Sequence, residues 1–388
     1  MTNGEEESVR KEIAASAHTV VVKVGTRVLT HADGGLNHDR IERLSRELHA
    51  VRESGRRVLL VSSGAVGAGM SQLGLTKRPA DIARLQAVAA IGQARLIEAY
   101  DRTLRRLGQC AAQVLLTADD LDHRTRYLNV RNTLRCLLEY GAIPIINEND
   151  TVAVDELMLT FGDNDALAAR VTHLIRAPLL VILSDIEGLY DGDPSSPESR
   201  LVSRVARIDS RIEAYVRDRK SGLSKGGMVG KLRAAKAVTA AGENLIIASG
   251  RRSDALAAIL RGETVGTLFA ASGRVISPWK RWIGFSARPR GRIVADRGAC
   301  DAIVERGRSL LAIGVVASEG EFRKGDVVSV RDPEGVEIAR GLTNYAAEDV
   351  RRIQGVQSRR IGDVLGHRPY EELIHRDNLV LLTGQEPN

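Results

Sequence analysis

The chain alternates short β-branched runs with longer stretches whose apolar positions recur every three to four residues. "TVVVKV" (19–24) reads as a buried strand. Residues 37–55 carry the helical period, with Asn37 placed as N-cap and Gly55 as the stop. "RVLLVSSG" (57–64) is the next strand and turn, and 79–108 is a long helix with one apolar stripe. A strand at 110–116, a helix at 126–141 and a strand at 142–147 continue the alternation. A hairpin is expected between "NEND" (147–150) and "GDND" (162–165). It is followed by a helix at 165–175, a strand at 178–184, a helix at 227–242 and a strand at 244–249. This spacing predicts right-handed βαβ crossovers and an α/β fold: a mainly parallel open sheet sandwiched by helices.

The pattern changes near residue 273. "GRIVAD", "LLAIGVVASEGEF", "GDVVSVRDPEGVEIARGLTNY" and "NLVLLTG" alternate like half-buried strands, punctuated by glycine and a D-P-E-G turn. Short helices are expected near 298–307 and 346–354. The predicted organisation is an α/β domain over 17–270, a basic linker over 271–290 and a small β-barrel domain over 291–377.

Composition adds limits. Aromatics make up only 3% of the 388 residues, so the cores must be built from Ala, Val, Leu and Ile. No apolar run reaches the roughly 18 residues needed to span a membrane. The polar N-terminus has no signal-peptide core, and three distant cysteines form no disulfide framework. A cytoplasmic protein is the simplest expectation. The net charge of +7 raises the question of nucleic acid. Residues 290–388, however, hold 15 basic and 16 acidic side chains, so the excess lies earlier. Its densest patch, 273–292, has six basic and no acidic side chains, which a solvated linker explains as well as a phosphate-binding face does.

Candidate chemistry clusters where ligands bind in open parallel sheets, beyond the carboxyl ends of the strands. Lys23 ends the first strand and is followed by Gly25 and Thr26. Ser62, Ser63 and three glycines follow the second. Asn147, Asn149 and Asp150 end a third, and Ser184 and Asp185 a fourth. "SKGGMVGK" (224–231) precedes a helix. Glycines let a backbone approach an anion, and free N–H groups at a helix start favour negative charge. The chain has 47 Arg but nine Lys, so a lysine inside an apolar strand is hard to dismiss as a surface cation. Each motif alone has a plainer explanation: a structural turn, an exposed first-turn lysine, or a helix cap at Asp163 or Asn164. Five of them on one sheet edge favour a site for phosphate and a small polar ligand. There is no G-x-x-x-x-G-K-[ST], no G-x-S-x-G, and no His or Cys spacing for zinc.

In this order, "VVVKVGTRVLT", "VSSGAVGAG", "IINENDTVAV", "FGDNDALAA", "LSDIEGLYDGDP" and "KGGMVGK" closely resemble the bacterial glutamate 5-kinases of the amino acid kinase family, over about residues 18–270. Residues from about 290 to 375 resemble the PUA domain that many bacterial members carry. The resemblance implies ATP-dependent phosphorylation of the γ-carboxylate of L-glutamate to γ-glutamyl phosphate, the first step of proline biosynthesis. It further implies Mg²⁺ with ATP, proline as feedback inhibitor, a homo-oligomer and a reductase partner for the product.

Carried over by position, catalytic roles fall to Lys23, Lys231 and Asp163, and glutamate contacts to Ser63, Asp150 and Asn164. Nucleotide contacts fall to Lys23, Ser184, Asp185, Lys225, Gly226, Gly227, Met228, Val229, Gly230 and Lys231. Asp163 and Asp165 match acidic positions that serve substrate, magnesium or lysine orientation, with Asp165 the candidate for magnesium. The chain departs from the family pattern at Lys225, Gly230, Ala168 and Leu85, which bears on nucleotide affinity and regulation. The competing readings are a sister kinase for acetylglutamate, aspartate, carbamate or uridylate, and an RNA-binding or RNA-modifying PUA protein. The balanced charge and few aromatics of the C-terminal part argue against RNA.

Overall fold

The structure, a computed structural model, describes residues 3–31, 34–152, 164–217, 225–271, 277–366 and 370–382. The chain divides into two compact units, Met1–Gly273 and Arg274–Asn388. The expected hairpin falls largely on residues 153–163, outside the described residues.

The first unit is built on an eight-stranded sheet of order β3-β4-β2-β1-β5-β7-β8-β6. Its strands are β1 (Thr19–Val24), β2 (Arg57–Ser62), β3 (Ala111–Leu116), β4 (Ile143–Glu148), β5 (Leu179–Ser184), β6 (Arg204–Val205), β7 (Asn244–Ser249) and β8 (Thr267–Phe269). From β3 to β7 all neighbours run parallel; only β8 pairs with β7 in the opposite sense. The carboxyl ends of β1, β2, β4 and β5 therefore open on one edge.

Side-chain alternation sorts β1 between two layers. Val20, Val22 and Val24 pack into a core with Ile41, Leu44 and Leu48 of the helix His38–Glu53, and with Leu96 and Tyr100 of the helix Ile82–Arg106. The period of two sends Val21 and Lys23 to the other face. There the helix Asn164–Ile175 lies on β1, β5, β2 and β4, and packs against the helix Lys225–Ala240.

Local signals set several boundaries. Asn37 caps its helix, its side chain accepting the Arg40 N–H, and Gly55 ends it with φ of 83°. Asp81 caps the long helix through the Arg84 N–H. The structure adds elements that the periodicity does not signal. Asn3–Ser16 is a helix, anchored by Arg10, which donates to the carbonyls of Val265, Ser203 and Gly266. The glycine-rich "AVGAGMSQ" is also a helix, Ala65–Gln72, where a turn was expected. It is helical because it lies against the helix Ile82–Arg106 at two glycines. A Cβ at Gly92 would collide with the Ala65 carbonyl, and one at Gly69 with that of Val88.

The second unit carries a five-stranded mixed sheet of order β10-β9-β11-β12-β13. Its strands are β9 (Gly291–Ala295), β10 (Val315–Gly320), β11 (Val327–Arg331), β12 (Glu337–Leu342) and β13 (Leu379–Leu381). The D-P-E-G turn joins β11 to β12, with Asp332 N–H on the Val336 carbonyl and Gly335 at φ 85°. Ile293, Val328 and Val330 pack with Ile303, Val350 and Ile353 of two short helices. Part of the stretch expected as a linker is folded into this unit. Pro278–Arg281 makes a helical turn and Trp282–Ser286 a π-turn, and Trp282 and Ile283 are buried. Trp282 stacks on Trp279 with centroids 5.6 Å apart, so apolar contact, unsignalled by the basic composition, decides the fold there.

Candidate active site

Three charged side chains meet above the carboxyl end of β1. Lys23 Nζ lies 2.6 Å from Asp165 Oδ1, and Lys231 Nζ lies 3.3 Å from Asp165 Oδ2. Lys231 Nζ also donates to the Gly227 carbonyl at 3.2 Å. All three residues are buried, at 6%, 5% and 9% exposure for Lys23, Asp165 and Lys231. Lys23 arrives from β1, Asp165 from the first turn of the helix Asn164–Ile175, and Lys231 from the second turn of the helix Lys225–Ala240. Burial works to raise the Asp165 pKa, but the charges of Lys23 and Lys231 outweigh it and hold the carboxyl below the usual aspartate range. Among the described residues of this cluster, one carboxylate stands between two ammonium groups, beside a helix N-terminus that adds partial positive charge. Such a place attracts a phosphoryl group.

Beside this cluster runs a chain of amides. Asn164 Nδ2 faces the Ser62 carbonyl at 3.2 Å, Ser63 Oγ at 2.7 Å and Asn147 Oδ1 at 3.2 Å. Asn147 Nδ2 in turn donates to Gln93 Oε1 at 2.7 Å. Asn164 Oδ1 is buried and takes no hydrogen bond among the described residues. Ser63 is set by its own N–H on the Val24 carbonyl, and by Gly64, whose φ of 112° turns the chain into the next helix. Asp150 sits half-buried in the turn after β4.

At the end of β5, Ser184 Oγ donates to Asp185 Oδ1 at 3.1 Å, and Arg27 meets Asp185 Oδ2 at 3.2 Å. Burial raises the Asp185 pKa, but the hydrogen bond from Arg27 prevails among the opposing contacts and keeps it low. Arg27 lies in the short helix Thr26–Leu29 that follows Gly25.

The structure thus brings Lys23, Lys231, Asp165, Asn164 and Ser63 together, with Ser184 and Asp185 on the same sheet edge. Asp163 lies outside the described residues. The helix expected at 227–242 runs over Lys225–Ala240, so the segment 225–231 forms its first two turns, with Met228 buried and Gly227 exposed. Lys225, Gly226, Val229 and Gly230 belong to those turns. The helix starts early because its inward face packs on the helix Asn164–Ile175. Ala168 and Leu85, two departures from the family pattern, are core positions at 0% and 5% exposure.

Sequence reasoning did not single out Gln93, and noted Asn147 only as a strand end. A signal for Gln93 was available. It sits among the buried positions Ala89, Gly92 and Leu96, a polar residue on an apolar stripe.

Known proteins resemble this chain along most of its length. The family description "Amino acid kinase family" matches residues 18–249, and "PUA domain" matches 291–365. A glutamate 5-kinase of Rhodopirellula baltica is 50% identical, over 96% of this chain and 96% of its own. One from Citrifermentans bemidjiense is 45% identical, over 96% of this chain and 100% of its own. A solved carbamate kinase from Giardia lamblia, bound to AMP-PNP, is 20% identical and overlaps with a TM-score of 0.48, over 66% of this chain and 98% of that one. The chain belongs to the amino acid kinase family and, within it, to the glutamate 5-kinases.

Proposed function

We propose that this protein transfers the γ-phosphoryl group of ATP to the γ-carboxylate of L-glutamate, yielding γ-glutamyl phosphate and ADP in the first step of proline biosynthesis. The observation that carries this reading is the buried Lys23–Asp165–Lys231 cluster next to the Asn164 amide. A carboxylate oxygen of glutamate attacks the γ-phosphorus, and the bond from that phosphorus to the ADP oxygen breaks. The nucleophile is ionised at neutral pH, so no general base is needed. Catalysis is positioning plus neutralisation of charge on the phosphoryl oxygens. Lys23 and Lys231 supply that charge, and Asp165 holds both lysines in place.

Both oxygens of Asp165 already face ammonium groups. A divalent cation bound there would share the carboxylate with two ammonium charges, so Asp165 suits the orientation of the lysines better than magnesium. Mg²⁺ in this reading travels with the ATP phosphates and screens their charge. Ser184, Asp185 and the first two turns of the helix Lys225–Ala240 contact the nucleotide.

The amino-acid side of the site takes the substrate's ammonium and carboxylates. Asp150 supplies a counter-charge to the ammonium, the bare Asn164 Oδ1 accepts a hydrogen bond from it, and Ser63 binds a carboxylate. These groups favour an amino acid with a free ammonium over carbamate or a nucleoside monophosphate. Proline as inhibitor, a homo-oligomer, a reductase that takes the labile product and a cytoplasmic location complete the reading.

One assay tests it: ADP release with glutamate, acetylglutamate, aspartate, carbamate and UMP, each with and without proline. Glutamate is expected to lead; no glutamate-dependent release refutes the reading.

A second reading concerns the C-terminal unit alone. Arg290, Arg292, Arg331 and Arg340 line a cavity of about 390 Å³ there, a surface for an anion such as RNA. Arg292 and Arg340 are already paired with Glu319 and Glu337, which weakens it. A salt-sensitive, submicromolar RNA affinity would support that reading. Retained glutamate kinase activity in a chain ending at Gly273 would leave the unit accessory.

A further inference from the structure

We propose that Gln93 is a positioning residue for the amino-acid substrate: it fixes the direction of the Asn147–Asn164 amide chain, so that Asn164 Oδ1 is held as the acceptor for the substrate's ammonium. The inference rests on the glutamate kinase reading and deepens it.

A side-chain amide has two ends of nearly equal shape, and its partners decide which way it points. Asn164 Nδ2 has two hydrogens and three acceptors around it, whereas its Oδ1 is buried with none among the described residues. A buried acceptor without a donor is costly, and the arrangement persists only if the nitrogen side outweighs it. The Ser62 carbonyl is a fixed acceptor, and the Ser63 hydroxyl can turn. Asn147 Oδ1 is conditional. Were Asn147 reversed, its Nδ2 would face Asn164 Nδ2 across 3.2 Å, two donors opposed.

What prevents that reversal is Gln93. Its Oε1 takes the Asn147 Nδ2 hydrogen at 2.7 Å, shorter than the bond from Asn164 to Asn147. Gln93 is itself placed by packing. It follows Gly92, where the helix Ile82–Arg106 meets the helix Ala65–Gln72 so closely that no Cβ fits. Helix contact therefore fixes where Gln93 stands, its Oε1 pairs with Asn147 Nδ2, and Asn147 Oδ1 pairs with Asn164 Nδ2. The cost of the bare Oδ1 is relieved when an ammonium donates to it, a gain made only with a substrate that carries a free amino group.

The test separates hydrogen-bond direction from packing. Gln93→Glu keeps an acceptor toward Asn147; Gln93→Met keeps the size and loses the acceptor. Glutamate KM, ATP KM and kcat are measured by ADP release, with the melting temperature of each variant. Gln93→Met is expected to raise glutamate KM about tenfold, about 1.4 kcal/mol, with ATP KM within about twofold. Gln93→Glu is expected to keep glutamate KM within about threefold. In an Asn147→Asp background this tolerance reverses, because Gln93→Glu then sets two carboxylates face to face; glutamate KM rises and the melting temperature falls.

If Gln93 only packs, Gln93→Met is the benign variant and Gln93→Glu the harmful one in both backgrounds, and the proposal is overturned. Should Gln93→Met not fold, the reversal of Gln93→Glu between the two backgrounds decides alone. A parent chain without glutamate-dependent ADP release refutes the kinase reading itself, whatever the variants do.

Discussion

Lys23 and Lys231 hold opposite oxygens of one buried carboxylate, that of Asp165, at 2.6 and 3.3 Å. Their strand and helix are far apart in the chain, so the carboxylate acts as a clasp. It keeps two like charges close together where a phosphoryl group can use both. The arrangement is preorganised, so little reorganisation is needed as charge develops.

Lys231→Ala should therefore act on the transition state. Losing one well-placed donor costs on the order of 3 kcal/mol, about a hundredfold in kcat. Glutamate KM should stay within a few-fold, because the role proposed for Lys231 is at the phosphoryl group and not at the amino acid. Steady-state kinetics check this; an unchanged kcat would remove Lys231 from the chemistry.

Asp165→Asn should destabilise the protein without nucleotide by about 3 kcal/mol, since two buried ammonium groups lose the carboxylate charge they share. Saturating ATP should narrow the gap by supplying negative charge. The pH dependence has a definite sign. The native pKa of Asp165 lies below its ordinary value of 3.8. Its contribution is thus complete at neutral pH and is lost only as pH falls below 3.8 through the native value. Denaturant unfolding at pH 7 and pH 5 should give the same difference between parent and variant. A difference that vanishes by pH 5 contradicts the pairing.

Asp150→Asn should raise glutamate KM about tenfold, as a counter-charge to the ammonium is worth about 1.4 kcal/mol or more. ATP KM and kcat should change little. A glutamate KM equal to the parent's would take Asp150 out of the substrate site.

Gly92→Ala probes the packing behind the site. The new methyl meets the Ala65 backbone carbonyl, which has no rotamer by which to escape. Overpacking of this kind costs about 1–3 kcal/mol. The helix Ala65–Gln72 begins just after Ser63, so its shift should also raise glutamate KM. A variant with the parent's melting temperature and KM would refute this account of the contact.

The sequence alone determined the alternation of strands and helices, because apolar spacing is a local property of each segment. It also determined that polar groups end β1, β2, β4 and β5, and parallel crossovers then place those ends on one edge. Asn37 and Gly55 were legible as helix limits for the same reason, since a cap acts within one turn. Tertiary structure alone decided which groups meet. Nothing local distinguishes Asp165 as the partner of both lysines; that follows from two helices crossing the same strands. The glycine-rich segment after Ser63 becomes helix because a neighbouring helix covers it, and Gln93 enters the site through that contact. Propensity and period are written along the chain, whereas burial, pairing and hydrogen-bond direction exist only once distant segments have packed.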